Sequence, residues 1–123
     1  MRPGPEVIPA EHVRFIRACR SYFETDEFIF VHAGYDPNLP MARQSDRSLR
    51  WESVQPDRMV PHCSGKVVIA GHTVQQNGEV LDLGFFKILD TNAFNGGWLT
   101  ALEIHGGDII QTNQQGQLGR RGG

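Results

Sequence analysis

Two short apolar runs, each closing on a histidine beside a glycine, interrupt an otherwise mixed pattern: Phe28-Ile29-Phe30-Val31-His32-Ala33-Gly34 and Val67-Val68-Ile69-Ala70-Gly71-His72-Thr73. Four or five apolar residues bounded by turn formers are the pattern of a strand buried on both faces. Upstream, Val13, Ile16, Cys19 or Arg20, and Tyr22 or Phe23 recur every 3.6 residues, while Glu11, Arg14, Arg17 and Arg20 take another face. That spacing predicts an amphipathic helix from Pro9 to near Glu24–Asp26, docked by its apolar side. Four further strands are predicted over Val80–Leu83, Phe86–Asp90, Trp98–Ile104 and Asp108–Thr112, with His105-Gly106-Gly107-Asp108 as a hairpin turn. Residues Met1–Ile8 read as irregular. The polar stretch through Gln55 reads as a loop or short helix with one aromatic anchor, Trp51. From Asn113 the chain is mostly Gln, Gly and Arg, and residues 113–123 are expected to form a mobile tail.

The order of elements predicts an α/β (α+β) chain, β-rich with one N-terminal amphipathic helix, and 123 residues suffice for one domain. Composition narrows the partners. A net charge of −2 without a basic stripe points away from nucleic acid, and the Arg14, Arg17, Arg20 triplet reads as a solvated helix face. No apolar run is long enough for a membrane span and no signal pattern opens the chain, so a cytoplasmic protein is expected. Cys19 and Cys63 are too few for a disulfide framework and read as reduced thiols, Cys19 packed within the helix.

The strand-end histidines carry the candidate chemistry. Ligands of open α/β sheets gather outside the carboxyl ends of strands, and the adjoining glycines would permit tight turns or positive φ where an imidazole is presented. Neutral imidazole is a common metal ligand. Two alone are insufficient, since a catalytic zinc takes about three protein ligands. Singly, each could be a strand-end histidine bonded to backbone. His62-Cys63, with His72, suggests a small zinc-binding β domain as an alternative, although adjacent residues rarely reach one ion. His12 and His105 read as exposed and structural.

Three ordered motifs add a resemblance. Phe30-Val31-His32-Ala33-Gly34 with Pro37, then Ile69-Ala70-Gly71-His72-Thr73, then Leu89-Asp90-Thr91 followed by Gly96-Gly97-Trp98-Leu99-Thr100-Ala101-Leu102, look like the C-terminal half of calcineurin-like metallophosphoesterases. The bacterial phosphoprotein phosphatases and their diadenosine tetraphosphatase relatives are the branch most similar. The resemblance covers residues 28–104 and implies a partial domain over residues 1–112, half of a β-sandwich flanked by helices. It implies two divalent metals (Mn, Fe or Zn) in the complete domain, with His32 and His72 as ligands of one of them. A metal-activated hydroxide would attack a phosphate ester of a phosphorylated protein or small molecule. Gly71, Thr73 and Asp90 would support the ligands.

Departures from the family pattern matter equally. Its Gly-Asp-x-His-Gly, Gly-Asp-x-x-Asp-Arg-Gly and Gly-Asn-His motifs, which supply the remaining ligands and the catalytic histidine, do not occur in this sequence. The chain is therefore expected to work with a missing N-terminal half and to be a poor catalyst alone, with no catalytic residue assigned. Relatives often place a phosphate-gripping arginine two residues after a tryptophan; here that position is Ser53, and Arg50 is the substitute. Asn92 replaces a glycine, and asparagine tolerates the positive φ that the turn would need. A non-catalytic protein-binding module derived from the same fold is the other reading, one that would leave an apolar patch exposed.

Overall fold

A computed structural model describes residues 7–122, so most of the stretch expected to be irregular, Met1–Ile8, lies outside the described residues. Among the described residues two short α-helices, α1 (Ala10–Ala18) and α2 (Asp46–Arg50), accompany eight strands: β1 (Tyr22–Glu24), β2 (Phe28–Val31), β3 (Val67–Ala70), β4 (Leu81–Asp82), β5 (Phe86–Ile88), β6 (Leu99–Leu102), β7 (Ile109–Thr112) and β8 (Leu118–Gly122). Five of them form a mixed sheet in the order β1-β2-β3-β5-β4, and the other three form an antiparallel sheet β6-β7-β8. The two histidine-bearing runs are β2 and β3. They lie side by side and parallel, Phe28 opposite Val67 and Phe30 opposite Ile69. No helix among the described residues is long and apolar enough to cross a membrane.

Burial separates the two runs. β3 is central, and Val68, Ile69 and Ala70 are all buried. In β2 only Ile29 is fully buried, while Phe28, Phe30 and Val31 keep partial exposure, which corrects the expectation of burial on both faces. The core forms mainly on one side, where Ile29, Val68, Phe86 and Ile88 have no exposed surface and pack with Tyr35, Met41 and Leu49. On the more open side Phe30 meets Phe28 and Phe23 at ring separations of 6.2 and 6.3 Å.

The N-terminal helix is shorter than its periodicity predicts. It stops at Ala18 because Cys19 turns extended, and Tyr22–Glu24 pairs antiparallel with β2, Tyr22 opposite Val31. Strand pairing of two aromatic residues outweighs the continuing 3.6-residue period. No residue of α1 is buried, and Phe15 and Ile16 are 71% and 63% exposed. Its apolar side is therefore not docked on the described chain. Cys19 is exposed rather than packed, and both cysteines are free thiols.

Between β2 and β3 the chain is braced by side chains. Gln44 accepts from the Asp36 amide and donates to the Asp36 and Leu39 carbonyls at 2.7 and 2.8 Å. His62 is buried; its Nε2 donates to Leu39 O at 2.7 Å and its Nδ1 lies 2.8 Å from Ser64 Oγ. Both its nitrogens are thus occupied by structure. The anchor of this segment is Leu49, 2% exposed, and not Trp51, which is 73% exposed. At the end expected to be a mobile tail, β8 pairs with β7 through Thr112 opposite Leu118; the turn at Asn113–Gly116 closes that hairpin, with the Asn113 side chain accepting from Gln115 and Gln117 amides.

Two stability tests follow from this packing. Leu49→Ala should cost about 2–5 kcal/mol in urea unfolding, whereas Trp51→Ala should stay within about 0.5 kcal/mol. Tyr35, whose hydroxyl donates to Val60 O at 2.7 Å, has its phenol pushed by burial up to about 12. An unfolded tyrosine ionises near 10, so between about pH 10 and that value the folded state holds more protons and stability falls as pH rises. Tyr35→Phe should cost about 1 kcal/mol at neutral pH and show a flatter decline above about pH 10 than the parent chain.

Candidate metal centre

Register delivers both histidines to one place. Beyond the last paired residues of β2 and β3 the ladder continues through the Gly71 amide, which donates to His32 O at 2.8 Å. His32 is thus level with Gly71, and His72 lies one step further. Its ring swings back because the backbone at His72 has φ 65° and the Thr73 amide donates to Gly71 O at 2.7 Å. A hydrogen bond spanning three residues around a positive φ is the mark of the strained γ-turn. A non-glycine residue held there signals a position fixed by its surroundings.

The glycines do not act as expected. Neither Gly34 nor Gly71 has positive φ; the strained residue is the histidine itself. Gly34 is required by contact, since a Cβ there would stand 2.6 Å from Val54 Cγ1. A Cβ on Gly71 would meet only His32 O at an ordinary 3.5 Å, so Gly71 acts through its backbone groups. Asn92 does adopt positive φ, 73°, and the turn survives without glycine.

The two rings stand edge to face with His32 Nε2 3.2 Å from His72 Nδ1. His72 Nε2 lies 2.9 Å from Trp51 O. A carbonyl only accepts, so Nε2 carries the proton and Nδ1 presents its lone pair; fixing one imidazole nitrogen on a backbone carbonyl to orient the other is the usual support of a metal ligand. Burial pushes His32 below the usual imidazole range and the neighbouring His72 adds to this, while the Asp90 carboxylate opposes it. The net effect keeps His32 neutral near pH 7, the form that ligates. Two nitrogens each about 2.1 Å from one ion at right to tetrahedral angles stand about 3.0–3.4 Å apart. The separation across the pair, 3.2 Å, falls inside that interval, so the spacing of the two nitrogens suits one ion.

Surrounding residues take distinct parts. Thr73 Oγ1 accepts from the Val54 amide at 3.0 Å, joining the His72 turn to the segment that carries the Trp51 carbonyl. The Asp90 carbonyl accepts from Gln75 N at 2.7 Å, and its carboxylate from Asn92 N at 3.3 Å. Arg50 lies at the end of α2. Its Nη2 donates to Cys19 O at 3.1 Å, with Nε 3.7 Å from Asp46, and it lines the same groove as His32 and His72. His62, Cys63 and His72 do not assemble: His62 is spent on Leu39 and Ser64, and among the described residues no three His, Cys, Asp or Glu side chains cluster. Trp51 O as a partner is not legible in the sequence, because a backbone carbonyl carries no residue signature.

Strain at His72 has a measurable counterpart. His72→Gly removes the side-chain penalty of positive φ, about 1–2 kcal/mol, against the entropic cost of glycine and the lost contact with Trp51 O. Thermal unfolding should find it equal to or more stable than the parent, and a clear loss of stability would show that the turn is unstrained.

Neither a protein-family model nor a curated protein sequence matches the chain. Among solved structures, the crystal structure of a putative diadenosine tetraphosphatase aligns with 95% of this chain at a TM-score of 0.69 and 20% identity. The chain spans 59% of that structure's length. At that identity the likeness is one of fold, and the chain shares a mixed α/β, two-sheet fold with that structure across nearly its whole length.

Proposed function

We propose that this chain carries the two-histidine part of a metallophosphoesterase centre, in which His32 Nε2 and His72 Nδ1 hold one divalent metal, Mn, Fe or Zn. The observation that carries the reading is the 3.2 Å approach of those two nitrogens at the ends of adjacent parallel strands, one of them oriented by Trp51 O. When bound, the ion supplies positive charge that polarises a phosphoryl oxygen. The chain's own residues do the rest: Trp51 O keeps the His72 proton on Nε2, Thr73 fixes the turn, and Asp90 sets the local charge. Arg50 would turn its remaining donors toward a phosphate. The reaction is hydrolysis of a phosphate ester or a phosphoanhydride, with two donors from this chain and the others from outside the described residues. A phosphoprotein-phosphatase activity and a dinucleotide polyphosphate hydrolase both suit this centre, and the name given to the aligned structure favours the second.

Metal titration of the purified chain tests the ligands. One ion of zinc or manganese should bind weakly, and His32→Ala or His72→Ala should each lower its affinity at least tenfold, while His105→Ala should not. Affinity indifferent to both substitutions would remove the reading. With manganese added, the chain by itself should not turn over p-nitrophenyl phosphate above background; turnover abolished by His72→Ala would show that the donor set is sufficient after all.

A further inference from the structure

We propose that the last turn of α2 clamps both histidine-bearing strand ends, and that Gly34, seated against Val54, is the positioning residue that sets the distance between His32 and His72. The proposal rests on the two-histidine reading above and deepens it, because it names what holds the ligands at their spacing. The last four carbonyls of a helix have no partner inside it. In α2 those of Ser48 and Leu49 accept from the amides of Gly34 and Ala33 at 3.1 and 2.8 Å, and these are the two residues directly after His32. Just beyond the helix, Trp51 O takes the His72 ring nitrogen at 2.9 Å. One helix end therefore holds both the chain that follows His32 and the imidazole of His72.

The clamp is braced from behind. Ser45 Oγ caps α2 by accepting from the Ser48 amide at 3.1 Å, Leu49 is buried in the core, and the Val54 amide donates to Thr73 Oγ1 at 3.0 Å. The segment leaving α2 is thus tied to the His72 turn. How closely it approaches the end of β2 is decided at Gly34, which is buried and has no positive φ, so space and not backbone excludes alanine there. A Cβ would stand 2.6 Å from Val54 Cγ1, with Ser48 O and Glu52 O next at 3.6 and 3.8 Å. Valine is stiff at χ1, so the contact is relieved by moving the Val54 segment away from β2. That movement draws on the bond to Thr73 and carries Trp51 O with it, and His72 loses the acceptor that keeps its proton on Nε2. Metal–ligand distances tolerate only about ±0.2 Å, less than such a contact demands.

Two measurements on the full chain test this. Imidazole ¹⁵N NMR in EDTA at about pH 8, above the usual imidazole range, reads the His72 tautomer, and zinc titration reads affinity. The parent should show Nε2 protonated and Nδ1 bare. Gly34→Ala should bring in the Nδ1-protonated form and raise the zinc dissociation constant at least about tenfold. Adding Val54→Ala removes the Cγ1 that the new Cβ would meet, and the double variant should return to within about threefold of Val54→Ala alone. Leu81→Ala, in β4 and remote in sequence from α2, should lower thermal stability and leave tautomer and affinity unchanged, which separates positioning from plain destabilisation. Circular dichroism verifies folding; if Gly34→Ala does not fold, Ser45→Ala at the exposed cap takes its place, with the same tautomer change and about a threefold loss of affinity expected. A folded variant that keeps the parental tautomer, or a double variant no better than Gly34→Ala, would overturn the proposal. Because the tautomer is read without metal, failure here is distinct from failure of the histidine pair to bind an ion.

Discussion

The parallel pairing of β2 with β3 is the constraint on which the site depends. A parallel ladder brings the carboxyl ends of two strands to one edge, and here it is continued past the strands by a single bond, Gly71 N to His32 O. Slipping the register by one residue would exchange the faces of Val67–Ala70 and turn buried Val68 and Ala70 outward. Burial of β3 therefore fixes the position of His72 as firmly as any contact made by its ring. The core at Ile29, Val68, Phe86 and Ile88 and the candidate centre are two results of one register.

Register alone would leave the rings apart, because His32 and His72 are one step out of phase. The difference is taken up by the turn at His72, where positive φ and the bond from Thr73 to Gly71 bring the ring back. The Trp51 carbonyl then selects which nitrogen faces His32. The segment bearing that carbonyl is itself held by Leu49 in the core and by Val54 N on Thr73 Oγ1. Three separate stretches of chain thus converge on one imidazole, which is the support that a preorganised ligand needs.

Much of this was legible in the sequence where side-chain type is the signal. Phe28–Val31 and Val67–Ala70 are strands as their apolar runs imply, and the strands over Leu81–Asp82, Phe86–Ile88, Leu99–Leu102 and Ile109–Thr112 fall inside their expected spans. The convergence of His32 and His72 follows from matched surroundings at matched strand ends. What escaped was decided by partners distant in sequence. Tyr22 and Phe23 read equally well as helix or strand until β2 is available to pair with them. Leu49 and Trp51 differ by their place on a short helix, which a largely polar stretch does not reveal. Gly34 and Gly71 are where the sequence would put positive φ, but it falls on His72, where the ring's position demands it. Asn113–Gly122 has almost no apolar content, and its hairpin is held by backbone pairing and Asn113 turn bonds that composition does not register.

The edges of the mixed sheet have a bearing on how the molecule meets its surroundings. β1 has three residues and β4 two, and β4 carries Asp82 beside Lys87. Such short borders present few unpaired amides and carbonyls, so they make poor templates for another strand. The borders of this sheet therefore add little risk of growing sheet upon sheet to a surface that leaves Phe15, Ile16, Phe23 and Trp51 open to solvent. Whatever settles on that face has to be recognised by side chains, one shape at a time.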